Sequence, residues 1–170
     1  DIPLDNSFWD EASDEEKHEF YSWVLEQYPL TLIDQMYLRR CGLEDLSEYG
    51  TLVNNSSYYK RKIPNKFALG IAGVFTDKEQ KNKYLNTWST GIIRGIRSPE
   101  NLIVGIEIRL DHESLKRAQQ HTPEEKKKTK MYKPLSSSKK MNGYKADSLQ
   151  FGVVKGKSDE FVFITEGAKK

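Results

Sequence analysis

The most pointed chemistry in the 170-residue chain lies near its end. Phe161-Val162-Phe163-Ile164 is an unbroken apolar run, which predicts a strand over Phe161–Thr165 covered on both faces. Thr165-Glu166-Gly167 then sets one carboxylate, Glu166, at the strand's tip. A carboxylate there suits a divalent cation, which wants oxygen ligands, or general acid–base work. The same residues also describe an ordinary exposed acid after a strand. A second group is cationic. Arg94, Arg97 and Arg109 fall on or beside two apolar β-type runs, and guanidinium forks fit phosphate oxygens. Strand arginines equally keep a wet face soluble or guard an edge. A third group runs from Lys130 to Lys140, "KMYKPLSSSKK": Tyr132 and Ser137 stand among Lys130, Lys133, Lys139 and Lys140. An aromatic, hydroxyls and lysines together can stack a base and hold a phosphate; a Ser- and Lys-rich turn has the same composition. In "NNSSYYKRKIPNK" tyrosines adjoin Lys60, Arg61 and Lys62, which fits either a strand of nucleic acid or a surface loop.

Other chemistries find no support. Cys41 is the single cysteine, so an internal disulfide is excluded and a reducing, cytoplasmic compartment is expected. With His18, His112 and His121 scattered, no zinc spacing exists. Neither a Ser-His-Asp or Cys-His arrangement nor a phosphate-binding Gly-rich loop is present. No run approaches the length of a membrane span, and Asp1-Ile2-Pro3 opens without a basic, apolar leader.

The net charge of +2 conceals a division. Residues 1–48 hold 13 acids against Lys17, Arg39 and Arg40. Residues 116–145 hold ten Lys and Arg against Glu124 and Glu125, a net of +8. That asymmetry points to a polyanionic partner for the later half, or to a solvated lysine-rich loop. The acidic half reads as helical and solvated on one face.

These groups need elements to hold them. Seven Phe, three Trp and nine Tyr in a chain that is 36% hydrophobic supply one core. Residues 7–28 carry helical spacing through Phe20, Val24 and Tyr28, with Asp10 and Ser13 as candidate N-caps and Pro29 as the stop. A second helix is expected over Thr31–Cys41, with Leu32, Met36 and Leu38 facing inward and Gly42 ending it. "GLEDLSEYGTL" reads as a turn and another helical piece. "GIIRGIRSPENLIVGIEIRLD" reads as a β-hairpin over 92–110, turning at Ser98-Pro99-Glu100-Asn101. In its second arm Val104, Ile106, Ile108 and Leu110 alternate with Ile103, Gly105, Glu107 and Arg109, one face of which is wet. A short helix over Glu113–Gln120 and two short strands within "MYKPLSSSKKMNGYKADSLQFGVV" complete an α+β fold: an acidic helical segment, 1–66, then a mainly antiparallel β-rich segment, 67–170.

The order from Gly70 onward, "GIAGVF", the hairpin, "YKPLSSS", "LQFGVV" and "FVFITEG", resembles the region that leads into a Toprim domain. It is most similar to Toprim primase-like replication proteins of plasmids, phages and integrative elements, and more distantly to DnaG-type primases and phage primase–helicases. The likeness covers residues 67–170, and 30–66 more loosely; the N-terminal helices match nothing in that family. Gly95 stands where the family has Pro, Glu107 where it has Gln, and Met131 where it has Lys. The resemblance implies a primase-type basic subdomain ending in the first Toprim strand, 161–166, with Glu166 as the first acid of an Mg²⁺ site. The Asp-x-Asp that completes such a site would follow Lys170, so residues 1–170 alone are expected to make no primer. The implied parent is a DNA primase, a nucleotidyltransferase of DNA replication. Its implied partners are single-stranded DNA template, nucleotides and a replication helicase, with Arg94, Arg97, Arg109, Lys130, Tyr132, Lys133, Ser137, Lys139 and Lys140 on the nucleic acid. Two other readings stay open: a non-enzymatic protein-interaction module using the acidic helices, and part of a Toprim nuclease or topoisomerase-like protein.

Overall fold

Ser13 starts the first helix, α1 (Asp14–Gln27), through a reciprocal cap. Its hydroxyl accepts from the Glu16 N–H (3.2 Å), and the Glu16 carboxylate accepts from the Ser13 N–H (2.9 Å). The helix begins later than the spacing over 7–28 predicts because the preceding residues are paired elsewhere. The Phe8 N–H donates to Gly143 O (2.8 Å), the Ala12 N–H to Gly70 O (3.0 Å) and Trp9 Nε1 to Asn142 O (2.9 Å). Ser13→Ala should therefore lower stability by about 1 kcal/mol, read as an earlier denaturant midpoint at unchanged slope. An unchanged midpoint would show that this cap does not set the helix start. The structure, a computed structural model, describes residues 7–53, 60–120 and 131–146. Lys130, Glu166, the strand expected over 161–166 and the one expected near "LQFGVV" lie outside them.

The second helix, α2 (Leu32–Arg40), is capped by Thr31, whose Oγ1 accepts from the Asp34 N–H (3.3 Å). Its orientation corrects the expectation that Leu32, Met36 and Leu38 share a buried face. Leu38 is buried, whereas Leu32 is 72% and Met36 51% exposed. At about 100° per residue Leu38 lies about 200° around the helix from Met36, so the two cannot both face inward. The helical piece expected after Gly42 is also replaced. Residues 43–48 form no helix and lead into β1 (Tyr49–Leu52). The Asp45 carboxylate accepts from the Ser47 N–H (2.9 Å), a local bond that competes with helix.

Among the described residues seven strands follow the order β1, β2 (Lys60–Lys62), β3 (Val74–Thr76), β4 (Lys83–Asn86), β5 (Gly91–Arg97), β6 (Ile103–Leu110) and β7 (Tyr132–Pro134), with α3 (His112–Gln120) between the last two. They make two antiparallel sheets, β1-β5-β6-β7 and β2-β4-β3. The fold is thus α+β, N-terminal helices followed by mainly antiparallel sheet, as the sequence predicts. The β5–β6 hairpin is the one expected over 92–110. Its alternation slips at one place: Ile96 faces Gly105 and Arg97 faces Ile103. Val104 is therefore an extra residue, and the bulge turns Ile103 into the core beside Ile106. β1 and β2 precede residue 67, yet each pairs with a strand after it.

One core unites these parts. Phe20, Tyr21 and Val24 of α1 pack on Ile93, Ile103, Ile106, Ile108 and Leu110 of the larger sheet, and on Phe67, Ile71, Val74 and Leu85. His18 Nδ1 accepts from the Ile103 N–H (2.9 Å), tying α1 to the start of β6. Gly91 opens β5 at φ +137°, where a Cβ would stand 2.0 Å from the Arg109 carbonyl oxygen. Only glycine lets the two strands approach so closely at that backbone angle. Among the described residues no helix is long and apolar enough to cross a membrane.

Candidate nucleic-acid interface

Strand alternation puts a different set of side chains on the sheet face away from α1. Register pairs Tyr49 with Arg94, Arg94 with Glu107, Ile92 with Arg109, and Arg109 with Tyr132. Directly opposed residues share a face, so these side chains form one patch across four strands. α2 closes one side of it. The result is a cleft of about 550 Å³ lined by Tyr37, Leu38, Cys41, Leu43, Tyr49 and Ile92 together with Arg94, Glu107, Arg109 and Tyr132.

Its charges are unequally matched. Arg94 donates to the Glu107 carboxylate at 2.8 Å, so this pair is internally neutral. The Arg109 guanidinium lies 4.6 Å from the Tyr37 ring centroid, a cation–π contact. Its Nε is buried without a hydrogen-bond acceptor, and among the described residues no carboxylate pairs with it. A buried charged donor left unmatched is costly and calls for an explanation. A hydrogen bond with the Cys41 thiol holds the Tyr37 phenol above its ordinary pKa, with Arg109 pulling the other way. The cleft therefore offers one unmatched cation, three tyrosines and an apolar floor of Leu38, Leu43 and Ile92. That combination suits an anion attached to a flat ring.

Three of the residues singled out from sequence, Arg94, Arg109 and Tyr132, meet in this cleft. The other described ones do not join them. Arg97 is held by the Glu48 carboxylate and the Asn101 carbonyl oxygen and lines a separate hollow with Glu11, Asp14 and Lys17. Lys133 points to the opposite face of the edge strand β7, paired in register with Ile108. Ser137 is buried: its Oγ lies 2.6 Å from the Val74 carbonyl oxygen and 3.0 Å from that of Tyr144, a clamp within the fold. Lys139 and Lys140 are exposed on the 3-10 turn Lys139–Met141. Tyr37 and Tyr49 escaped sequence reasoning. Tyr49 reaches the site only through the pairing of β1 with β5, which sets it opposite Arg94 far along the chain. Tyr37 sits beside the one inward residue of α2, Leu38, a signal usable once the inward face of that helix is known.

Among the described residues no three His, Cys, Asp or Glu side chains converge as metal ligands. Glu166 lies outside them. Compared with family models, curated proteins and solved structures, the chain finds no match.

Proposed function

We propose that this chain binds single-stranded nucleic acid through the Arg109 cleft and belongs to a Toprim primase-like replication protein. In that protein it presents template to an Mg²⁺-dependent site, begun by Glu166, where RNA primers are made. The observation that carries the binding reading is Arg109, a half-buried cation whose Nε has no acceptor and which no carboxylate among the described residues pairs, set among Tyr37, Tyr49 and Tyr132. The ring faces suit bases of any sequence, and the guanidinium suits a backbone phosphate. The primase part rests on the ordered sequence elements from Gly70 to Gly167.

Fluorescence anisotropy with a short labelled oligothymidylate at 50–200 mM salt tests the binding. One phosphate held by Arg109, the unmatched cation of the cleft, gives a slope of log affinity against log salt of about −0.7. Glu107→Gln removes the carboxylate that neutralises Arg94. It should tighten binding and steepen the slope by about 0.7, one further phosphate. No binding at 50 mM, or a Glu107→Gln variant that binds less tightly, overturns the reading. The protein-interaction alternative would then lead, favoured by the exposed Leu32, Ile33 and Met36 of α2 beside the cleft.

A further inference from the structure

Across β7 from the cleft lies a second group of cations. Lys133 lines a hollow of about 240 Å³ with Asn86, Trp88, Ser89 and Ser136. Arg117 of α3 stands beside Trp88, its guanidinium carbon 5.8 Å from the ring centroid. Arg117 Nη2 donates to the Trp88 carbonyl oxygen (3.2 Å) and to Ser114 Oγ (2.9 Å). Trp88 is 42% exposed, among the most open large aromatics described.

The charges here are conspicuously one-sided. Among the described residues neither Lys133 nor Arg117 has a carboxylate within ion-pair distance. Asp111 is nearest in the bonding network and is already engaged. It accepts from Thr90 Oγ1 (2.5 Å) and from the Ser114 N–H (2.7 Å), with the Ser114 and Thr90 hydroxyls between it and Arg117. Burial, and then the charge of Arg117, hold the Lys133 ammonium below its ordinary pKa. Two like charges kept together beside a partly buried hollow are unfavourable in the free protein and become favourable once an anion lies between them.

We propose that Lys133, Arg117 and Trp88 form a second nucleotide-phosphate site, the two cations holding the phosphate and the indole bearing on the base. Tyr132 and Lys133 are neighbours on β7, the edge strand among the described residues, and point to opposite faces, so a strand leaving the Arg109 cleft can cross there and reach this site. A free nucleotide presents the same chemistry. The crossing rests on the reading of the cleft as a nucleic-acid site; the phosphate site itself does not.

The test is titration of thymidine 5′-monophosphate into ¹⁵N-labelled protein, followed by amide and indole resonances. The Trp88 indole N–H and the amides of residues 86–89, 133, 135 and 136 should shift together. Lys133→Gln with Arg117→Gln should weaken that response about 100-fold, the loss of two charge-assisted bonds at about tenfold each, while the rest of the spectrum reports an intact fold. Lys133→Arg should keep it. Shifts confined to Tyr37, Tyr49 and Arg109 overturn this site and leave the cleft reading standing. Shifts confined to Trp88 and Lys133 support this site and remove the cleft. No shift at Trp88 at millimolar nucleotide overturns this site whatever the cleft does. A 12-nucleotide strand that gains affinity over a 3-nucleotide one, and loses the gain in the double variant, supports the crossing; equal loss for both lengths supports a free-nucleotide site instead.

Discussion

Phe20→Ala should destabilise the protein by about 3–5 kcal/mol. Phe20 is fully buried, and its ring meets those of Tyr21 (5.4 Å), Phe67 (5.3 Å) and Trp23 (6.1 Å). Truncation leaves a cavity between α1 and the loop that carries Phe67, where Ile71 and Gly70 are fixed by their own packing and cannot collapse into it. For a chain of this length each kcal/mol moves the melting temperature by about 2–4 °C, so a fall of order 10 °C is expected. Ile33→Ala is the control. Ile33 is 78% exposed on α2, and its removal should change stability by less than about 0.5 kcal/mol. Thermal melts of both variants decide the matter. Equal melting temperatures would mean that α1 is not the lid of the core. Because α1 backs the sheet face opposite the cleft, oligonucleotide affinity measured well below the Phe20→Ala melt should equal the parent's.

How far the sequence carries can be judged from particular residues. The hairpin was legible because Val104 to Leu110 alternates strictly and a Ser-Pro-Glu-Asn turn separates the arms. α1 was legible because Phe20, Val24 and Tyr28 repeat at one face, and only its start was missed. Residues 8–12 are drawn into pairing with Gly70 and Gly143, partners far away in the chain. The inward face of α2 is not legible from apolar identity alone, because at about 100° per residue Leu32, Met36 and Leu38 do not share one face, and Leu38 alone of the three is buried. The candidate cleft was half legible. Arg94, Arg109 and Tyr132 carry their chemistry openly, but their meeting depends on register across three strand pairs, and register is a long-range outcome. The neutralisation of Arg94 by Glu107 also follows from that register, as does the departure of Lys133 to the other face. Arg97 reads like its neighbours in the sequence, yet the bulge opposite Ile96/Arg97 and the arrival of Glu48 take it out of the patch.

Arg109→Ala should weaken single-strand binding about 10- to 100-fold, the range expected when a charge-assisted hydrogen bond is lost. The salt slope should flatten by about 0.7, one phosphate fewer. Arg97→Ala should leave affinity within a factor of about two, since Arg97 already satisfies Glu48 and the Asn101 carbonyl oxygen. Stability should move in the opposite sense. Arg97→Ala strands a partly buried Glu48 and should destabilise. Arg109→Ala removes a buried donor that has no acceptor, so the lost stacking on Tyr37 is offset by relief of desolvation. Its melting temperature should stay within about 2 °C of the parent's, less than one kcal/mol for a chain of this size. Arg109→Lys separates charge from shape: it should restore the salt slope but recover only part of the affinity, because an ammonium lacks the planar fork. Anisotropy and thermal melts on the same four proteins give both axes. If Arg109→Ala binds within twofold of the parent, Arg109 is not the anion contact. If it melts far lower, Arg109 holds the fold rather than the strand. A residue whose removal costs binding and spares stability is one the fold carries for its ligand.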